Sequence, residues 1–232
     1  MMRIPIRNIL MCRHVILAII EKLIMSVLNR IAFFQNRHDE VLNQVLARDL
    51  AQGKDKKGIR EIAENLWNEN PNVQSDCLKV LYEIGYLNPE LIAEYAGDFL
   101  KWLKTKNNRM VWGSMIALST IAEIKAEELY RHSDEIKAAM VGGSVITRDN
   151  GVKVLAAIAS KSDVYEKKIF PFLLEHLETC RPKDVPQHAE KIVVAVDAKN
   201  RDRFTKVLEK RMGDLTSSQA TRVRKVLKGL DK

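Results

Sequence analysis

Apolar residues recur three or four positions apart through most of the chain, and whole groups of them recur every 37 or 38 residues. Val73, Cys77, Leu78, Leu81 and Ile84 are followed by Met110, Ser114, Met115, Leu118 and Ile121. The same frame returns at Thr147, Gly151, Val152, Leu155 and Ile158, and again at Val185, Ala189, Glu190, Val193 and Val196. A second set keeps the interval: Ile62, Phe99, Ile136 and Leu173, with Leu66, Leu103, Met140 and Leu177. The short spacing is that of one helix face. The long one marks a unit of two amphipathic helices that must stack on its neighbours to bury those faces. The predicted fold is all-α, an α-solenoid.

Helices are predicted over 9–35, 38–51, 57–69, 73–86, 89–104, 109–124, 126–140, 145–160, 163–179, 185–198, 200–211 and 216–229. Pro71 disfavours helical geometry at Asn70, and Asn72 is read as the cap of the following helix. Pro89 suits a first turn, where its missing N–H costs nothing. Ser162 and Thr216 supply cap acceptors before apolar periodicity resumes. Gly142-Gly143 reads as a helix stop, because no phosphate-binding G-x-x-x-x-G-K-[ST] follows it. Pro171 is expected to kink the 163–179 helix rather than end it.

Residues 1–37 are set apart as an apolar N-terminal helical segment, with 38–232 forming the repeats and a basic C-terminal cap. The stretch from Val15 to Phe34 is strongly apolar, yet Glu21, Lys22, Asn29 and Arg30 interrupt it. Charges at its centre disfavour a membrane span, and no small-residue cleavage pattern marks a signal peptide. The segment is read as a terminal packing helix, with membrane-surface contact by residues 15–34 as the lesser reading.

The 232 residues are 46% hydrophobic, 29% charged and only 6% aromatic, which suits a helical protein with a continuous core. The net charge of +8 is uneven. Residues 181–232 carry 14 basic and seven acidic groups, whereas 38–180 carry 18 basic and 22 acidic. Arg201, Arg203, Arg222, Arg224 and Lys225 are the phosphate-binding candidates of this basic end, which Arg211 also joins. Cys12, Cys77 and Cys180 are an odd number at wide spacing, so no disulfide framework is read and a cytoplasmic setting is expected. His14, His38, His132, His176 and His188 show no metal-ligand spacing, and no cofactor or metal is expected. No nucleophile elbow, Walker loop or dinucleotide fingerprint is present, and the chain is read as more akin to a noncatalytic protein than an enzyme.

The second helix of each pair resembles that of HEAT repeats. Thr147-Arg148-Asp149-Asn150-Gly151-Val152 through Leu155 and Ile158 keeps that family's arginine and closing Leu/Ile, while Gln74, Val111 and Pro186 replace the arginine in the other copies. The resemblance covers about residues 57–212 and implies a right-handed solenoid of HEAT-like helix pairs, serving as a scaffold or adaptor for another protein. It implies a groove lined by 73–86, 109–124, 145–160 and 185–198, with Arg109, Trp112, Arg148 and His188 as candidate partner-binding residues. His188 is expected to be partly exposed, and Arg148 to bond a carbonyl or acidic group between repeats. A HEAT-like branch, the alkylpurine DNA glycosylases, is similar in size and basicity. It uses tryptophans with an aspartate, but Ile116 stands four beyond Trp112, so that arrangement is not reproduced. Binding of nucleic acid through the basic end is the alternative function.

Overall fold

The computed structural model describes residues 26–230, which form two units meeting in sequence at Leu91 and Ile92. Among the described residues there are twelve α-helices joined by short 3-10 turns, and no strand. The predicted all-α helical-repeat architecture is what the chain adopts.

In the first unit α1 (Val41–Gly53) and α2 (Lys56–Glu64) pack on α3 (Pro71–Leu87). Asn70, not Asn72, caps α3: its side chain accepts from the Asn72 N–H at 2.9 Å, and Pro71 occupies the first turn. The described part of the predicted 9–35 helix is not α-helical. Val27–Arg30 is a 3-10 turn, and Ile31 turns to extended backbone. Side chains from the neighbouring helices claim the backbone donors that a continuing helix would use. The Val27 N–H donates to Glu61 (3.3 Å), the Ala32 N–H to Asn43 (2.9 Å) and the Phe33 N–H to Asp76 (2.8 Å). Residues 15–25 lie outside the described residues; no described helix is long and apolar enough to cross a membrane.

Lys79 is the buried charge of this unit. Its ammonium lies 2.8 Å from Glu40, 2.7 Å from Glu83 one turn on, and 4.8 Å from the Tyr82 ring centre. Burial opposes the charge, but the two carboxylates outweigh it and hold the proton more firmly than on an ordinary lysine.

The second unit carries the remaining helices in two rows. One holds α4 (Ala96–Trp102), α6 (Ala126–Arg131), α7 (Ser133–Gly142), α9 (Asp163–Thr179) and α11 (Arg201–Arg211). The other holds α5 (Asn108–Ile121), α8 (Val145–Ala159), α10 (Val185–Ile192) and α12 (Ser217–Leu230), each packed on the next. The periodic positions are the core: Met110, Leu118, Ile121, Leu155, Ile158, Phe99, Ile136 and Leu173 are all fully buried. The small position of each copy admits its neighbour closely. A Cβ added at Gly151 would meet Met140 at 3.0 Å.

Four further predicted helices are interrupted, one of them the 57–69 helix, which tightens to 3-10 at Asn65–Trp67. Within 89–104 the chain makes 3-10 turns at Pro89–Leu91 and Ala93–Tyr95 before α4 begins. The 126–140 helix breaks at His132, and 185–198 tightens to 3-10 after Ile192. Pro171 stands inside α9 without ending it. Caps fall where side-chain acceptors allow: Asn107 for α5, Ser144 for α8 and Ser162 for α9. Thr216 and Gln219 exchange bonds with each other's N–H at the start of α12.

Truncating the fully buried Leu155 to alanine is expected to cost about 2–5 kcal/mol of unfolding free energy. Val141→Ala, at a side chain 67% exposed, should change it by less than about 0.5 kcal/mol. Urea titration of the two variants measures both. Lys79→Ala should cost about 1–3 kcal/mol by leaving the Glu83 carboxylate against Glu40 without its cation, and adding Glu40→Gln should recover part of that loss in the same titration.

Candidate functional site

The α5–α8–α10 row places equivalent residues beside one another at the repeat interval. Arg109, Ile146 and Asp184 form one line across the helices, Trp112, Asp149 and Gln187 a second, and Ile116, Lys153 and Lys191 a third. On each helix these positions are three or four apart, so the three lines make one face. Arg109, Ile146 and Lys153 are exposed, and Trp112, Asp149, Gln187 and Lys191 are half-buried. Val194, also exposed, lies in the 3-10 turn that follows α10. The surface thus mixes an indole, aliphatic side chains and both signs of charge.

Polar bonds hold the row in register. The Ser119 hydroxyl donates to Asn150 (3.3 Å) between α5 and α8. Between α8 and α10, the Asp149 carboxylate accepts from Gln187 at 3.0 Å and lies 2.8 Å from His188 Nε2, while its backbone carbonyl accepts from Lys191 at 2.8 Å. Between α10 and α12, Arg222 grips Glu190 through two bonds of 2.9 and 2.6 Å. The Arg222 guanidinium holds the Glu190 carboxyl below the usual glutamate range. Charge-assisted, two-point contacts of this kind fix orientation as well as distance.

A cleft of about 650 Å³ opens at the head of α5. Leu103, Val111, Ala138, Ala139 and Gly143 give it an aliphatic lining, and Lys104 and Glu135, paired at 2.9 Å, stand among its polar residues. Asn108 and Val111, which line it, flank Arg109 and Trp112 in sequence.

The structure distributes the predicted residues unevenly. Arg109, Trp112 and Arg148 lie on this row, and Arg148 Nη2 donates to the Gly143 carbonyl at 3.4 Å, within the turn of its own helix pair rather than across repeats. His188, expected to be partly exposed, is instead 0% exposed. The first turn of α10 lies against α9 and α8, and Asp149 supplies the acceptor that makes burial tolerable. His188 Nδ1 also lies 2.9 Å from His176 Nε2, and Cys180 completes a group whose ligand atoms fall within 4.8 Å. Sequence reasoning passed over His176 and Cys180, because the H-x3-C-x7-H spacing has no meaning until the turn at Pro182–Asp184 folds α10 back against α9. Their four-residue separation at a helix end was the available signal.

The basic end is likewise divided. Arg201, Arg203, Arg224 and Lys225 are exposed, whereas Arg222 is committed to Glu190. Arg211 is buried: it donates to the Leu177 and Cys180 carbonyls and to Asp214, closing the carbonyl end of α9, and is no part of a phosphate surface. Cys77 is a packing residue whose thiol burial pushes far up, away from reactivity.

No family model matches the sequence, and no curated protein matches it. Solved structures do. An engineered protein is 17% identical over 89% of this chain and 97% of its own, with a TM-score of 0.62. A designed armadillo repeat protein is 14% identical over 84% and 96%, with a TM-score of 0.60. Another, in complex with the peptide (KR)4, is 14% identical over 84% and 95%, with a TM-score of 0.62. At such identities the likeness shows the fold alone, which is that of a helical-repeat solenoid.

Proposed function

We propose that this chain is a noncatalytic, HEAT-like adaptor that binds an acidic segment of a protein partner along the α5–α8–α10 face. The observation that carries the reading is the composition of that face. Trp112 and Ile146 offer apolar anchors, while Arg109, Lys153 and Lys191 give it a positive bias that Asp149 and Asp184 only partly offset, and Arg148 adds to that charge beside the face. Interfaces draw most of their energy from a few aromatic and arginine side chains set among neutral contacts. The aliphatic cleft beside the head of α5 suits one apolar partner side chain. Armadillo designs with this fold include one in complex with a basic (KR)4 peptide; the cationic bias here favours a partner of the opposite sign. The exposed Arg201, Arg203, Arg224 and Lys225 would speed the approach of such a partner without contributing specificity.

Panning a random peptide library on the folded protein should enrich acidic peptides with a central apolar residue. Trp112→Ala and Arg148→Ala should each weaken the selected peptides by about tenfold or more with an unchanged helical circular dichroism spectrum. Equal binding by both variants would overturn the face assignment. Preferential capture of short duplex DNA, with a steep salt dependence lost in Arg224→Ala, would instead establish the nucleic-acid function.

A further inference from the structure

The turn joining α9 to α10 gathers a nitrogen–sulfur cluster that the partner-binding reading does not use. His176 lies on the last turn of α9, Cys180 caps that helix four residues later, and His188 enters from α10. Their ligand atoms all lie within 4.8 Å of one another, and no other group of three or more such side chains comes together in this way among the described residues. We propose that His176, Cys180 and His188 bind one zinc ion, with Asp149 as a positioning residue behind His188.

The adjustment the site needs is within the reach of side-chain rotation. A tetrahedral zinc ion with Zn–N near 2.0–2.1 Å and Zn–S near 2.3 Å sets its ligand atoms roughly 3.3–3.6 Å apart. His176 Nε2 and His188 Nδ1 face each other across a 2.9 Å hydrogen bond, which an ion between them would replace as the two rings part and turn toward it. The cluster spans up to 4.8 Å, so the sulfur and the nitrogens must also draw together by about 1 Å to reach the spacing zinc sets. Two imidazoles and a thiolate form a borderline-soft donor set that selects zinc over the oxygen-seeking calcium and magnesium.

Asp149 fixes the tautomer. Its carboxylate lies 2.8 Å from His188 Nε2, so that nitrogen carries the proton and donates, and the Nδ1 lone pair is turned toward the cluster. This is the carboxylate–histidine arrangement that orients metal-bound imidazoles. With no ion, His176 Nε2–H donates to His188 Nδ1; on binding, His176 carries its proton on Nδ1 instead, and the Cys180 thiol releases one proton as its sulfur bonds the metal. His188 is fully enclosed, while His176 and Cys180 are half-buried, which gives the ion a path in and leaves the fourth coordination position to solvent.

The test uses the full chain, freed of any affinity tag, stripped with a chelator and titrated with zinc sulfate alone. One ion per chain should bind and raise the melting temperature, and cobalt(II) in its place should give a thiolate-to-metal charge-transfer band. Cys180→Ser should abolish that band, and His176→Ala, at a half-exposed position, should weaken zinc more than about 100-fold, beyond the range of an outer-shell loss. Asp149→Asn should weaken zinc about tenfold while keeping the charge-transfer band, the signature of a residue that orients a ligand rather than being one. Binding of no zinc by the folded wild-type chain, or undiminished binding by both Cys180→Ser and His176→Ala, overturns the proposal. His176 and Cys180 belong to α9 and its cap, outside the α5–α8–α10 face, so their two variants read zinc binding separately from peptide binding.

Discussion

Every helix pair in this chain is short of a core of its own. Helices such as α4, with seven residues, or α10, with eight, could not persist alone in water, where the cost of nucleation exceeds what one or two turns return. What stabilises them is the sharing of apolar faces between consecutive pairs. The repeat interval of 37 or 38 residues sets which faces meet. Because most of the periodic positions are buried in the α5, α8 and α10 copies, the positions left over largely coincide as well, and a shared solvent-facing surface of the second unit follows from the burial pattern.

Apolar sharing alone would let neighbouring helices slide. The polar contacts between successive helices of the second unit remove that freedom, since each joins residues about one repeat apart: Asp149 with His188, Glu190 with Arg222, Asn200 with Glu166. Most are partly exposed and contribute little to stability individually. Their effect is on register. Asp149 differs from the others because one side chain and its own carbonyl engage three consecutive-turn residues of α10, and one of those is a buried imidazole.

Much of the architecture was legible in the sequence because periodicity reports burial directly. Ile62, Phe99, Ile136 and Leu173 were placed on one buried line from spacing alone, and all four are inaccessible to solvent. What periodicity could not resolve was where backbone geometry changes without a change in apolar spacing. The 126–140 helix keeps its apolar pattern across His132 although the backbone breaks there, and the pattern at Val193 continues into a tighter turn. The segment before α1 failed for a different reason. Its backbone donors are taken by Glu61, Asn43 and Asp76, partners that only tertiary structure supplies. The same limit explains the histidines. Linear motifs describe ligands on one helix or hairpin, whereas His176 and His188 meet across a turn, and the acceptor that orients His188 comes from 39 residues upstream.

The close approach at Gly151 bears on how such a chain can diversify. Glycine here faces Met140, an unbranched and adaptable side chain, while the corresponding positions in the other copies combine leucine at 66, 103 and 177 with cysteine, serine and alanine. Methionine is no larger than leucine, so what the glycine provides is a close seat for the side chain of its mate, 3.0 Å from where a Cβ would stand. Inheritance should therefore act on the couple: a descendant that acquires a bulkier residue at 151 survives best with a slimmer one at 140, and copies of the motif can be exchanged between slots only with both halves travelling together.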